Sequence, residues 1–236
     1  MTTPNYRGRL GIVGATTTSQ AEAAYDAIKQ DILSCKIKPK ERLTETELAE
    51  RYNLGRASIR VALNRLYQEA LIDVLPRYGY VVAGDDELDA QDLYQLQLVL
   101  ESTSARLAAG RVDAKQLIEL DRACAEAKTV NSIEDATRFL HANTNFHVAV
   151  ATATGNALLA RFVRILFERL ERQIYASGRA EEVVRHVAHT HEDVIELLIA
   201  GRADEVEAAV RRQVSHNHDI IRAVTTGHVG GTGREL

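Results

Sequence analysis

Residues 44–81 read TETELAERYNLGRASIRVALNRLYQEALIDVLPRYGYV. Thr44 followed three residues later by Glu47 is a capping box, so a helix starts there and ends near Tyr52. Asn53, Leu54 and Gly55 make a turn. A second helix runs from about Ala57 to Ala70, with Ile59, Leu63 and Leu66 spaced to form one apolar face. Ile72–Leu75 and Tyr80–Val82 are short β-rich runs around Pro76, Arg77, Tyr78 and Gly79, which predicts a two-stranded ribbon. Two short helices, a tight turn and a ribbon form a winged helix-turn-helix, whose common use is to place its second helix in the major groove of DNA.

Upstream, residues 19–35 read as a further helix. Ser19 and Glu22 form a second capping box, and Ala24, Tyr25, Ile28, Ile32 and Leu33 share a face. Residues 1–18, rich in Gly and Thr, read as a flexible N-terminal arm. Residues 19–84 are thus the winged helix-turn-helix DNA-binding domain. Downstream of Gly84, residues 85–227 show only helical period, over about 87–109, 113–129, 133–154, 156–177, 181–200 and 203–225. The breaks fall at Gly110, Asn131, Gly155, Gly178 and Gly201, mostly C-cap glycines. Short connections make sequential helices antiparallel. The fold class is therefore mainly α: an N-terminal winged helix-turn-helix followed by an all-α antiparallel bundle, with residues 228–236 as a disordered tail.

Composition bounds the function. Hydrophobic content is 45 % and charged content 26 %, as in soluble globular proteins. No apolar run reaches the roughly 18 residues of a membrane span, and the N-terminus lacks the apolar core of a secretory signal. Cys35 and Cys124 give neither a disulfide framework nor zinc-ribbon spacing, and read as small buried hydrophobes. A reducing cytoplasm is the expected location. The net charge is −4, but residues 1–84 carry 12 Lys+Arg against 9 Asp+Glu, and residues 85–236 carry 17 against 24. A basic head (+3) on an acidic body (−7) suits a chain that presents its first part to phosphate.

The expected DNA contacts follow from position. Arg56, Ser58 and Arg60 open the second helix of the motif, where side chains reach base edges. Arginine can bond guanine O6 and N7 together. Thr46 stands near the start of the first helix, within reach of the backbone. Arg77, Tyr78 and Gly79 at the wing tip suit the minor groove, where arginine meets negative potential.

Residues 36–82 resemble the N-terminal domain of the GntR family of bacterial transcription regulators. The family pattern is approximately Leu-x-Glu-x-x-Leu-Ala, then Ser-Arg-Thr-Pro-Val-Arg-Glu-Ala-Leu-x-x-Leu. Leu43, Glu45, Leu48, Ala49, Arg56, Arg60, Ala62, Leu63 and Leu66 match it. Gly55, Ala57, Ser58 and Val61 depart from it. The resemblance implies DNA contacts at Thr46, Arg56, Ser58, Arg60 and Gly79, although one branch of the family has arginine where Thr46 stands. The pieces DLYQLQLVLESTSARLAA, NFHVAVATATGNALL and HEDVIELLIAGRADEVEAAV resemble the FCD domain, the ligand-binding bundle of the FadR subfamily. The implied function is a homodimeric, ligand-responsive transcriptional regulator, a repressor, acting on a palindromic operator and a small-molecule effector, with no membrane partner.

Many FCD domains hold a divalent metal, Zn²⁺ or Ni²⁺. The resemblance places its ligands here at Asn143, His147 and His191, with Gln213 or His216 as the fourth. An Asn–His–His–Gln set carries no negative charge and glutamine is a poor zinc ligand, so such a site binds metal more weakly than one with a carboxylate and three imidazoles. Gln97 replaces an arginine that faces the cavity in many members. The expected effector pocket is therefore Gln97, Asn143, His147, His191 and Gln213, suited to a neutral or weakly charged hydrogen-bonding ligand. His141, His186, His189 and His218 read as surface or interhelical groups.

Two other classes compete. A metal-dependent, hydrolase-like enzyme would use the His/Asn cluster, but no HExxH, P-loop, GxSxG or dinucleotide fingerprint occurs, so no catalytic residue is expected. A non-DNA assembly module would leave Arg56, Arg60 and the wing without a role.

Overall fold

The computed structural model describes residues 13–84, 90–126, 129–188 and 191–225, and the side chains from residue 20 onward. The arm up to residue 12, the expected hinge after Gly84, His189 and the tail at 228–236 lie outside the described residues. The chain divides into two compact units, with the main boundary between Gly84 and Asp85.

In the first unit, α1 (Val13–Leu33), α2 (Glu45–Tyr52) and α3 (Arg56–Gln68) bury Ile28, Ile32, Leu48, Ile59, Leu63 and Leu66. The helix expected from Ser19 starts at Val13, so Ser19 is not an N-cap. No Gly or Pro breaks the run from Ala15 to Ala24, and extending an existing helix is far easier than nucleating one. Glu22, freed from the expected cap, pairs with Arg65 of α3 at 3.0 Å. The capping box of α2 forms as its sequence requires, with Glu47 N donating to Thr44 Oγ1 and Thr44 N to Glu47 Oε2, both 3.2 Å. Asn53 ends α2 in the left-handed region, at φ 51°.

The wing holds one more strand than the two expected. β1 (Arg42–Leu43), β2 (Ile72–Leu75) and β3 (Gly79–Val82) form an antiparallel sheet in the order β1-β3-β2, pairing Arg42 with Val81 and Val74 with Tyr80. A two-residue strand has too little alternation to show as a period. Gly79 sits at φ +93°, and a Cβ there would stand 2.5 Å from the Leu43 carbonyl oxygen. Gly79→Ala is expected to cost roughly 1–3 kcal/mol through this forbidden approach, read as a lowered midpoint in thermal unfolding followed by circular dichroism.

The second unit contains α4 (Ala90–Ala108), α5 (Ala114–Glu126), α6 (Ile133–Ala153), α7 (Ala157–Ala176), α8 (Ala180–Val187), α9 (Glu192–Ile199) and α10 (Ala203–Thr225). α10 packs along α4, while α6 packs on α5 and α7. Its core has one cluster around Phe139, Leu140, Ile174 and Val184, and another around Phe146, Val194, Leu198 and Val210. The single helix expected over 181–200 is two. Ala188 is extended (ψ 110°) and His191 caps α9. Asp121 of α5 causes the restart, because its Oδ1 accepts from both the His191 backbone N–H (2.8 Å) and the His191 ring Nδ1 (2.9 Å). That tertiary anchor has no local sequence signature. Gly110 and Gly201, both at positive φ, let the ends of α4 and α9 meet, with Gly110 N donating to Leu198 O at 2.7 Å. Cys124 is buried, but Cys35 is half-buried rather than a core residue. Among the described residues, no helix is long and apolar enough to cross a membrane.

Candidate nucleic-acid interface and effector pocket

α3 turns its inner face to α1 and α2 through Ser58, Ile59, Ala62, Leu63 and Leu66, all buried. Its outer face is left to Arg56, Ala57, Arg60, Val61 and Asn64, all exposed. Thr46 is exposed on the first turn of α2, and Arg77 and Tyr78 are exposed at the wing, with Gly79 behind them. Five of the six expected DNA contacts thus lie on or just under the surface. Ser58 does not: it is 2 % exposed, and its side chain cannot serve as drawn from the sequence. Its spacing from Ala62 and Leu66, one and two turns on, puts it on the inner stripe. The polar residue type concealed that period.

Arg60 is held by the carboxylate of Glu45, on the first turn of α2. Arg60 Nε and Nη2 each donate to Glu45 at 2.8 Å, a bidentate fork. Arg60 thereby depresses the Glu45 carboxyl below its usual range, chiefly through that hydrogen bond. Two of the guanidinium's five N–H donors are engaged, and the others remain available to a base edge. Glu45 therefore fixes the direction of Arg60. Glu45→Gln is expected to leave phosphate-driven affinity intact while narrowing the preference for the operator over random duplex by up to about 5-fold, given the modest energies of exposed pairs. Competition binding with labelled operator measures it. Arg42 adds a basic group beside the wing, stacked 5.9 Å from the Tyr78 ring centroid.

Inside the bundle, the five expected pocket residues line two cavities rather than one. His147 (α6), His191 and Gln213 (α10) line a cavity of about 10 Å³ together with Glu101 and Ser104 of α4. Gln97 (α4) and Asn143 (α6) line a second, of about 60 Å³, with Thr144, Glu171, Asn217 and Phe167. Aromatic side chains pack against both histidines. Phe146 stacks on His191 with centroids 3.9 Å apart, and Phe167 stacks on His147 at 4.5 Å.

Carboxylates missed by the sequence reading organise both histidines. His147 Nδ1 lies 2.8 Å from Glu101 Oε2, and His191 Nδ1 lies 2.9 Å from Asp121 Oδ1. An ionised carboxylate only accepts, so each pair places the proton on Nδ1 and directs Nε2 away. Gln97 Nε2 also donates to Glu101 Oε1 at 2.6 Å. Glu101 lies four residues after Gln97 and is 5 % exposed. The i, i+4 spacing of Gln97 and Glu101 on one helix face was the available signal.

Carboxylate-backed imidazoles are also the way proteins support metal ligands. Asn143 belongs to the other cavity, and His216 is exposed on α10. Among the described residues, no three His, Cys, Asp or Glu side chains converge to hold a metal ion. Of the expected Asn143, His147 and His191 with Gln213 or His216, the structure places His147, His191 and Gln213 around the small cavity. Of the other histidines, His141 and His218 are half-buried between helices, with pKa values lowered by burial, and His186 is exposed.

Comparison with known proteins meets both units. Residues 20–82 match the model for bacterial regulatory proteins of the gntR family, and residues 92–216 match the FCD domain. The chain is 25% identical over 205 residues to the HTH-type transcriptional regulator YdhC of Bacillus subtilis, covering 83% of this chain and 87% of that protein. It is 27% identical over 197 residues to the Nta operon transcriptional regulator of Aminobacter aminovorans, covering 84% and 92%. It is 22% identical over 200 residues to the HTH-type transcriptional repressor RspR of Escherichia coli, covering 85% and 88%. The solved structure of E. coli McbR/YncC shares the fold, with a TM-score of 0.68 at 18% identity, covering 89% of this chain and 99% of that one. With the winged head and the helical body both matched, the chain belongs to the gntR family of bacterial transcriptional regulators and carries an FCD domain.

Proposed function

We propose that this regulator is a cytoplasmic, homodimeric repressor that reads a palindromic operator with Arg56, Arg60 and the Arg77–Gly79 wing. Its bundle binds a small metabolite that changes operator affinity. The observation that carries the reading is the placement of Arg56 and Arg60 one turn apart on the exposed face of α3, beside an exposed wing. Repression is suggested by relatives such as RspR, whose name states that role. The chain acts by binding rather than by catalysis. A two-site coupling of about 1–3 kcal/mol is what such regulation requires.

The dimer rests on apolar surface that a lone protomer leaves in water. α4 and α7 pack together; α4 exposes Leu96, Val99 and Leu107, and α7 exposes Leu158 and Phe162, each 46–65% accessible. Apolar faces of this kind mark association sites, and a two-fold pair is the commonest closed solution.

A gel shift on the protein's own promoter region, repeated over a series of salt concentrations, tests the reading. Steep loss of affinity with salt together with preference over random duplex supports it. A shift equal on both duplexes refutes operator reading. Sedimentation of wild type and Val99→Asp/Phe162→Asp tests the dimer, which the double change is expected to dissociate.

A further inference from the structure

The outer face of α3 carries an aliphatic residue among its polar ones. Val61 is 56 % exposed, while Ile59, Ala62 and Leu63 beside it in the sequence are buried. By helical phase the exposed stripe holds Arg56, Ala57, Arg60, Val61 and Asn64. Val61 stands four residues after Ala57 and three before Asn64, so it shares a face with both. It directly follows Arg60, whose guanidinium is already directed by Glu45. A β-branched residue is a poorer helix former than alanine, and Val61 lies outside the buried stripe of α3. Its χ1 has one strongly preferred rotamer in a helix, so its two methyl groups point in a defined direction. Those methyl groups neither donate nor accept. Every base pair presents hydrogen-bonding groups in the major groove, and thymine alone adds a C5-methyl. A valine set against a purine N7 or O6 would strip water from an acceptor without replacing the bond. Set against a thymine methyl, it buries apolar area on both sides.

We infer that Val61 is a specificity-determining residue, which reads a thymine C5-methyl in each half of the operator, close to the bases bonded by Arg56 and Arg60. This rests on the reading of α3 as the operator-reading helix. The discrimination has two parts: attraction to the thymine methyl, and rejection of polar base edges that valine would leave unpaired. The arginines and Val61 thus divide the work on one stripe, with guanine read by hydrogen bonds and thymine by apolar contact.

The test removes the methyl group alone. The full-length protein first enriches an inverted repeat from randomised duplex. Each thymine of that repeat is then replaced in turn by deoxyuridine, which keeps every hydrogen bond, and binding is followed by fluorescence anisotropy. Wild type is expected to lose about 4-fold in affinity when the contacted thymine of one half-site is replaced, the value of one buried methyl. Replacement in both half-sites is expected to cost roughly 15-fold, since separated sites add. Val61→Ala is expected to bind the thymine duplex about as weakly as wild type binds the deoxyuridine duplex, and to tell the two apart by less than about 2-fold. Its affinity for random duplex is expected to stay within about 2-fold of wild type, because phosphate contacts carry that binding. An exposed position tolerates the change, and circular dichroism confirms that the variant is folded. A repeat without thymine, or one whose deoxyuridine forms all bind wild type as tightly as the thymine form, overturns the role of Val61 while leaving operator reading by the arginines. Equal discrimination by wild type and folded Val61→Ala also overturns it. Enrichment of no repeat by wild type overturns operator reading and the role of Val61 together.

Discussion

Arg56→Ala and Arg60→Ala are each expected to lower affinity for the operator by roughly 5- to 150-fold, the equivalent of about 1–3 kcal/mol for a bidentate base contact. Affinity for random duplex is expected to fall much less, because phosphate contacts carry that binding. The expectation comes from geometry. Both side chains are exposed at the start of α3, the end of a recognition helix that reaches base edges, and Ile59, Leu63 and Leu66 fix the helix from behind. The two changes should differ in kind. Arg60 is held by Glu45 before DNA arrives, so its loss also leaves the Glu45 carboxylate facing phosphate, and the penalty should exceed that of Arg56→Ala at low salt. Arg60→Lys should not restore specificity, because an ammonium cannot make the planar fork. Fluorescence anisotropy with operator and random duplex, at two salt concentrations, separates these effects.

Phe146→Ala is expected to destabilise the bundle by about 3–5 kcal/mol, the usual cost of truncating a buried aromatic. Phe146 is 1% exposed and belongs to the cluster formed by Leu117, Val194, Leu198 and Val210. It also stacks on His191 and meets the His147 ring edge-on at 5.4 Å. Its removal should therefore loosen both imidazoles and merge their cavity with new space. Thermal unfolding should show the bundle transition at much lower temperature. Phe146→Leu, which keeps most of the volume, should recover the larger part of the loss. Equal midpoints for Phe146→Ala and wild type would mean that the aromatic stack contributes nothing.

The parts of the fold that were legible in the sequence are those written in local chemistry. The Thr44–Glu47 capping box, the left-handed Asn53 and the glycine breaks at 110, 155, 178 and 201 appear where residue types demand them. The parts that were not legible depend on distant partners. α9 restarts at His191 because Asp121, seventy residues earlier, captures its backbone and ring. Ser58 is buried because of helical phase, not residue type. The candidate pocket was named from residues that belong there by position, yet two of its organising groups, Glu101 and Asp121, were not among them. Their burial comes from the packing of α4 on α6 and of α5 on α9, which a single sequence does not display.

The most direct test of DNA reading by α3 and the wing is selection from a pool of randomised duplex, comparing wild type with the Arg56→Ala/Arg60→Ala double variant. Wild type is expected to enrich one short inverted repeat over successive rounds, and the double variant to enrich none while still retaining duplex at low salt. Enrichment of the same repeat by both proteins, or of no sequence by wild type, would contradict it.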